Sequence, residues 1–242
     1  MGRHGTIANR KDKQDAKRAQ VFTKYARLIT VAAKEGGDPV YNVALENAIN
    51  KAKAINMPND NIQRAIKKGT GELEGESYES HNYEGYGPGG VAIIVEALTD
   101  NKNRTSSHVK HYFDKFGGNL GVPGCVSYMF ERKGYLLIER TDEISEDELM
   151  EVALEAEMED MATHDDSFEI FTSTDNFDDV KSALSEAGHA FVEADIELIA
   201  SIDAAPLSGG DKKQLIRLIN ILEDDDDVQK VYHNCVEDLE EE

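Results

Sequence analysis

The spacing of apolar residues changes once along the chain, and that change limits what each part can fold into. Up to Lys68 the apolar positions recur at helical spacing. Ala19, Phe22, Ala26, Ile29 and Ala33 share one face of a segment, Gln14 to Lys34, that contains neither Pro nor Gly. Lys17, Arg18, Lys24 and Arg27 can occupy its other face. Gly36-Gly37 stops this helix and Asp38-Pro39 forms the turn. Asn42 can cap a second helix striped by Leu45, Ile49 and Ala52 and ended by Met57-Pro58. Asn59 or Asp60 can cap a third, with Ile62, Ala65 and Ile66 inward and Gly69 closing it. Residues 1–70 are thus expected to form a basic three-helix domain. Residues 71–82, rich in Gly, Glu and Ser, read as a linker that lets the bundle move.

Past the linker the spacing becomes that of buried and alternating strands. Val91 to Leu98 predicts a strand, Arg104 to Phe116 a helix, and Cys125 to Glu131 a second strand, with a short extended piece near Asn119. Tyr135 to Glu139, Asp160 to Thr163, Phe168 to Thr172 and Phe191 to Ile199 predict four more strands. The helices Ser145 to Ala156, capped by Ser145 with Glu148 at the box position, and Asn176 to Ala187 lie between them. Strand, helix, strand, strand, helix, strand is the split βαβ pattern. The chain end supplies one more helix, Lys212 to Leu222, and one more strand, Val228 to His233. These complete the first unit, so residues 83–133 and 202–242 form a discontinuous middle α/β domain with 134–201 inserted as a second one. The expected fold is α+β and multidomain: a three-helix bundle and two ferredoxin-like domains, which suggest an internal repeat.

Charge is divided along the same line. The whole chain carries a net charge of -22, which by itself argues against a polyanionic partner. Residues 1–70, however, hold 14 Lys and Arg against 6 Asp and Glu, while the remainder holds 12 against 42. Such a contrast is expected when one basic face meets nucleic acid and the rest repels it; a basic helix that only neutralises the acidic body is the structural alternative. The chain opens with basic and polar residues and no apolar stretch, so no secretory signal is read, and no run suits a membrane span. Cys125 and Cys235 lack CxxC spacing and read as reduced thiols of a cytoplasmic protein.

Few motifs suggest chemistry. Gly85-Tyr86-Gly87-Pro88-Gly89-Gly90 contains GxGxxG, but it precedes a strand instead of opening a helix, and Pro88 removes one donor. It reads as a tight loop, either a structural turn or a contact surface. Asp100-Asn101-Lys102-Asn103-Arg104-Thr105 lies at a helix start. One cap would suffice there, and the surplus of polar side chains favours contact of Asn101, Lys102, Asn103 and Arg104 with phosphate or a carboxylate. His108 and His111 lack a third ligand at a recognisable spacing and read as surface or packing residues. Asp224 to Asp227 lack EF-hand spacing and read as a solvated turn. No Walker loop or nucleophile triad can be singled out, so no catalytic residue, metal, cofactor or small-molecule substrate is expected, and the chain reads as not an enzyme.

His4 with Ala8-Asn9, Gln14-Asp15-Ala16-Lys17-Arg18, Phe22-Thr23-Lys24 and Tyr83-Glu84 before the glycine loop form an ordered series of motifs. Asp100 to Thr105, Gly117-Gly118-Asn119-Leu120-Gly121 and Asp226 to Asn234 continue it. In these the chain resembles, nearly end to end, the YebC/PmpR family, which includes the mitochondrial translational activator of cytochrome oxidase. Members typically open with Gly-His-Ser-Lys-Trp-Ala-Asn, whereas this chain has Arg3-His4-Gly5-Thr6-Ile7-Ala8-Asn9 and so lacks a Lys and a Trp. The resemblance implies a helical domain followed by two α/β domains. It also implies a transcriptional regulator that binds promoter DNA or, alternatively, a translation factor that acts on ribosomes and relieves stalls; docking of an acidic protein partner on the basic bundle is a further alternative. The expected nucleic-acid contacts are Arg3, Arg10, Lys11, Lys13, Lys17, Arg18, Lys24 and Arg27, with His4 and Asn9 of the opening motif. Arg64, Lys67 and Lys68 follow from the third helix, and Asn101, Lys102, Asn103 and Arg104 from the polar loop.

Overall fold

A computed structural model of the protein describes residues 18–237 and residue 239. Within them the architecture is α+β, with seven α-helices and two four-stranded antiparallel sheets. The helices and strands run α1 (Arg18–Ala32), α2 (Val43–Ala54), α3 (Asn59–Gly69), β1 (Glu79–Tyr86), β2 (Ala92–Thr99), α4 (Lys102–Lys115), β3 (Asn119–Leu120) and β4 (Phe130–Glu139). They continue α5 (Glu146–Glu155), β5 (Asp160–Thr163), β6 (Ser167–Thr172), α6 (Phe177–Glu186), β7 (Phe191–Ala200), α7 (Gly209–Glu223) and β8 (Val228–His233). Two compact units result. One contains Tyr128–Pro206; the other contains 18–127 and Leu207–His233.

The bundle forms because three short amphipathic helices bury a shared stripe. Ile29 and Ala33 meet Leu45, Ile49 and Ala52 from α2 and Ile62, Ala65 and Ile66 from α3, with Phe22 and Ala26 packed against them. Asn42 caps α2 by accepting from the Leu45 N–H at 3.0 Å. Asn59 and Asp60 do not cap α3, as spacing alone suggested: the cap position falls on Pro58, whose carbonyl accepts from Asn61 and Ile62, and the two residues become the first helical positions. At Gly69 a Cβ would stand 2.3 Å from the Thr30 carbonyl oxygen and 2.6 Å from the Ala33 methyl, so glycine sets how closely α3 can approach α1.

The sheet of the same unit has the order β3-β1-β2-β8, antiparallel throughout. Val91, Ile93 and Val95 are buried, as are Val109 and Phe113 of α4 and Leu215, Leu218 and Leu222 of α7. The strand beside β2 is not the predicted Cys125 to Glu131. It is β1, which includes the last residues of the expected linker and the first of the glycine loop. Two causes account for the difference. The first half of β1 is polar and mostly exposed, so it shows little apolar alternation. The backbone N–H groups of Val126 and Ser127 are taken by the Glu84 carboxylate at 3.0 and 2.9 Å instead of by a ladder. From Phe130 onward the chain enters the second sheet, so the predicted strand Tyr135 to Glu139 lies within β4, while Cys125 to Met129 lies outside any strand.

That second sheet has the order β5-β6-β4-β7, all antiparallel, which is the split βαβ arrangement. Leu136, Ile138, Phe168 and Ile170 face Leu149 and Ala153 of α5 and Phe177, Val180 and Leu184 of α6. The alternate residues Tyr135, Leu137 and Phe171 form a separate cluster, as the two-residue period of a strand requires.

Replacing Gly69 by Ala is expected to lower the stability of the bundle by about 1–3 kcal/mol through overpacking, read as a lower urea midpoint at unchanged m-value. A midpoint equal to that of the unchanged protein would show that α1 and α3 separate without penalty.

Candidate nucleic-acid interface

Among the basic residues expected to meet phosphate, the structure separates those used internally from those left at the surface. Gln20, Lys24 and Arg27 fall on one stripe of α1 and reach the end of α7 and the turn after it. The Gln20 amide donates to the Asp224 carbonyl, and Lys24 Nζ donates to the Glu223 carbonyl at 2.7 Å. Helix C-termini leave unpaired carbonyls and a partial negative charge, so these donors suit that position. Arg27 goes further. Its Nη1 donates to the Leu98 carbonyl at 3.2 Å, the Asp226 carbonyl at 2.6 Å and Asp227 Oδ1 at 2.6 Å, and its guanidinium lies 5.1 Å from the centre of the Tyr78 ring. With only 13% of its side chain exposed, Arg27 is engaged with internal partners. Lys24 is half-buried.

The Asp227 carboxylate is the centre of this region. Besides Arg27, it accepts from Arg104 Nη2 at 2.7 Å, Thr105 Oγ1 at 2.6 Å and Thr99 Oγ1 at 3.2 Å. Burial disfavours its charged form, but the hydrogen bonds from Arg104, Thr105 and Arg27 outweigh that and bring its pKa down to about 2. Asp227 and Asp100 in turn raise the already high pKa of Arg104. Asp225 is also enclosed, accepting from the Tyr112 hydroxyl at 3.2 Å and lying 3.4 Å from His108 Nδ1. The expected solvated aspartate turn is therefore, at Asp225 and Asp227, an internal anion site. Its cations lie far away in sequence, so the run of Asp carries no local sign of it.

The same network accounts for most of the polar loop before α4. Asn101 caps the helix by accepting from the Arg104 N–H at 3.1 Å, Asp100 pairs with Arg104 at 2.7 Å, and Thr105 binds Thr99 and Asp227. Polar side chains in excess of one cap are thus largely explained by Asp227. Lys102 and Asn103 are exposed, and Arg104 keeps 41% of its side chain in solvent.

The two glycine motifs are structural and lie against each other. Gly85 sits where a Cβ would come 2.6 Å from the Asn119 carbonyl, and Gly118 where one would come 2.6 Å from the Tyr86 carbonyl. Between them Glu84 is buried; desolvation opposes its charge, yet three backbone N–H donors from Gly124, Val126 and Ser127 hold its carboxyl below the usual range.

Arg64, Lys67 and Lys68 remain as a cationic group on the exposed face of α3, opposite the buried Ile62, Ala65 and Ile66. Arg3, His4, Asn9, Arg10, Lys11, Lys13 and Lys17 lie outside the described residues, as does the side chain of Arg18. Among the described residues no group of three or more His, Cys, Asp or Glu side chains could hold a metal ion, and no helix is long and apolar enough to cross a membrane.

Comparison with known proteins gives one consistent result. Residues 3–72 match the family described as the TACO1/YebC protein N-terminal domain, and residues 78–235 match the TACO1/YebC second and third domain. A probable transcriptional regulatory protein of Clostridioides difficile is 57% identical over 97% of this chain and 98% of its own length. Another from Geobacillus kaustophilus is 54% identical over 98% and 96%. The crystal structure of a conserved hypothetical protein, Aq1575 from Aquifex aeolicus, is 46% identical, covers 91% of both chains and superposes with a TM-score of 0.83.

Because the folded pKa of Asp227 lies below its ordinary 3.8, the stabilisation it brings is fully present above about pH 4 and is lost as pH falls through about 2. The stabilisation that disappears is about 2 kcal/mol. Asp227→Asn should cost about 3 kcal/mol at neutral pH by leaving Arg27 and Arg104 without their shared anion, and should remove this part of the acid dependence. Urea titrations of both proteins between pH 2 and 7 test this; parallel stability curves would show that Asp227 contributes nothing to it.

Proposed function

Starting from a chain that belongs to the TACO1/YebC family, we propose that it is a nucleic-acid-binding regulator of gene expression that makes its backbone contacts through the helical N-terminal domain. The observation that carries this reading is the cationic face of α3: Arg64, Lys67 and Lys68 are exposed, while Arg27 is held inside. Residues 71–242, with 42 acidic residues against 12 basic, repel a polyanion, which leaves the N-terminal domain to meet it. The basic residues of the first 18 positions extend the proposed contact set, and Lys102, Asn103 and the exposed part of Arg104 form a second group at the start of α4.

The relatives are named probable transcriptional regulatory proteins, which supports a role in transcription, and promoter DNA is the first proposed target. A second reading is ribosomal RNA, because the exposed cations of α3 address phosphates that both nucleic acids share. Under either reading the contacts position the protein without selecting bases.

Charge reversal of Arg64, Lys67 and Lys68 to Glu is expected to weaken binding to unrelated sequences alike. It should also make the slope of log affinity against log salt shallower by about 0.9 for each duplex phosphate that is no longer neutralised. An unchanged slope removes α3 from the interface. Duplex shift assays beside sedimentation with ribosomes in the same salt series separate the two targets: complexes that persist at physiological salt only with ribosomes identify a translation factor, and only with duplex a transcriptional regulator.

A further inference from the structure

The turn between α1 and α2 places apolar side chains in water. Val40 is 78% exposed, Tyr41 88% and Val43 69%. Their exposure follows from the residue among them. Asn42 is buried and extended, accepts from the Leu45 N–H, and donates Nδ2 to the carbonyls of Ala32 and Gly36, both at 2.8 Å. Tyr41 ends the turn before the inward Asn42 and Val43 opens α2 after it, and both side chains stay outside the core. The turn is also held from below: Asp38 Oδ1 accepts from the Val40 N–H at 3.0 Å, and the Asp38 carbonyl accepts from the Tyr41 N–H at 3.2 Å.

The turn lies at the end of α3. A Cβ on Gly37 would stand 2.6 Å from the Thr70 methyl and 3.5 Å from the Ile66 methyl, so the turn packs on the last turn of α3, the one that carries Lys67 and Lys68. An exposed aromatic ring on a pinned turn, on a domain that also presents exposed cations, is an arrangement by which proteins hold single-stranded nucleic acid: the ring stacks on a base and the cations attract its backbone. A paired base is already stacked inside its helix and cannot reach the ring.

We infer that Tyr41, flanked by Val40 and Val43, is a stacking platform for an unpaired nucleobase, with Lys67 and Lys68 holding the adjoining phosphates. The inference rests on the proposed nucleic-acid reading and, because duplex DNA presents no unpaired base, takes its second form, RNA, as the target.

The chain has no Trp, so Tyr41→Trp introduces a single indole whose fluorescence reports on the turn alone. Titration with a single-stranded oligoribonucleotide of mixed sequence is expected to quench it, and the same strand annealed to its complement is expected to leave it unchanged. Tyr41→Ala should bind the single strand about tenfold more weakly, Tyr41→Phe should bind it like the unchanged protein, and all should share one salt slope because no charge is altered. Salt-dependent binding that is equal for Tyr41→Ala and the unchanged protein would overturn the stacking site and leave the basic face standing. Absence of binding by the unchanged protein to any strand would overturn both. Self-association that Tyr41→Ala abolishes, with equal affinity for the strand, would assign the turn to a second copy of the chain instead.

Discussion

One buried carboxylate orders the polar half of the larger unit. Asp227 receives cations from α1 and α4 and hydroxyls from Thr99 and Thr105. A charge with 5% exposure is tolerated only when its acceptor sites are filled, and here four donors from three parts of the chain fill them. Removing any one leaves the others around an undercompensated ion. The bundle is thereby fastened to the end of α7 and to β2, and the segment at 71–82 is not what governs its position. Residues 71–82 are expected to let the bundle move, and α1 adds direct hydrogen bonds to that end.

The same rule operates at Glu84. Its carboxylate takes backbone donors that would otherwise extend a strand through Cys125 to Ser127, and the position is filled by β1, for which Gly85 and Gly118 leave the room. Both anions therefore shape the sheet order, one by tying loops to its open end and the other by withholding donors from it. These two residues also fix what the surface can offer. Arg27, enclosed beside Asp227, has little side chain left at the surface, which shifts the proposed interface from the long stripe of α1 toward α3 and the pinned turn at Tyr41.

Much of the helical architecture was legible in the spacing of apolar residues: the stripes of α1, α2 and α3 and the caps at Asn42, Asn101 and Ser145 all stand where the residues predicted. The second sheet was readable from its short apolar runs set between helices, of which α5 carries its own start signal. The strand β1 was not, because half of it is polar and pairs along an edge that only β2 and β3 define. Of the candidate contacts, Arg64, Lys67, Lys68 and Lys102 keep the exposure expected of them, whereas Arg27 does not.

Sequence by itself determined the class of most elements, the division of charge and the family, because caps, apolar periods, glycines and motifs are properties of neighbouring residues. Tertiary structure alone decided which cations are held inside and which strand stands beside β2. The partners that decide it are far apart: Asp227 meets Arg104 across 123 positions and Arg27 across 200, and no local pattern records a pairing at that distance.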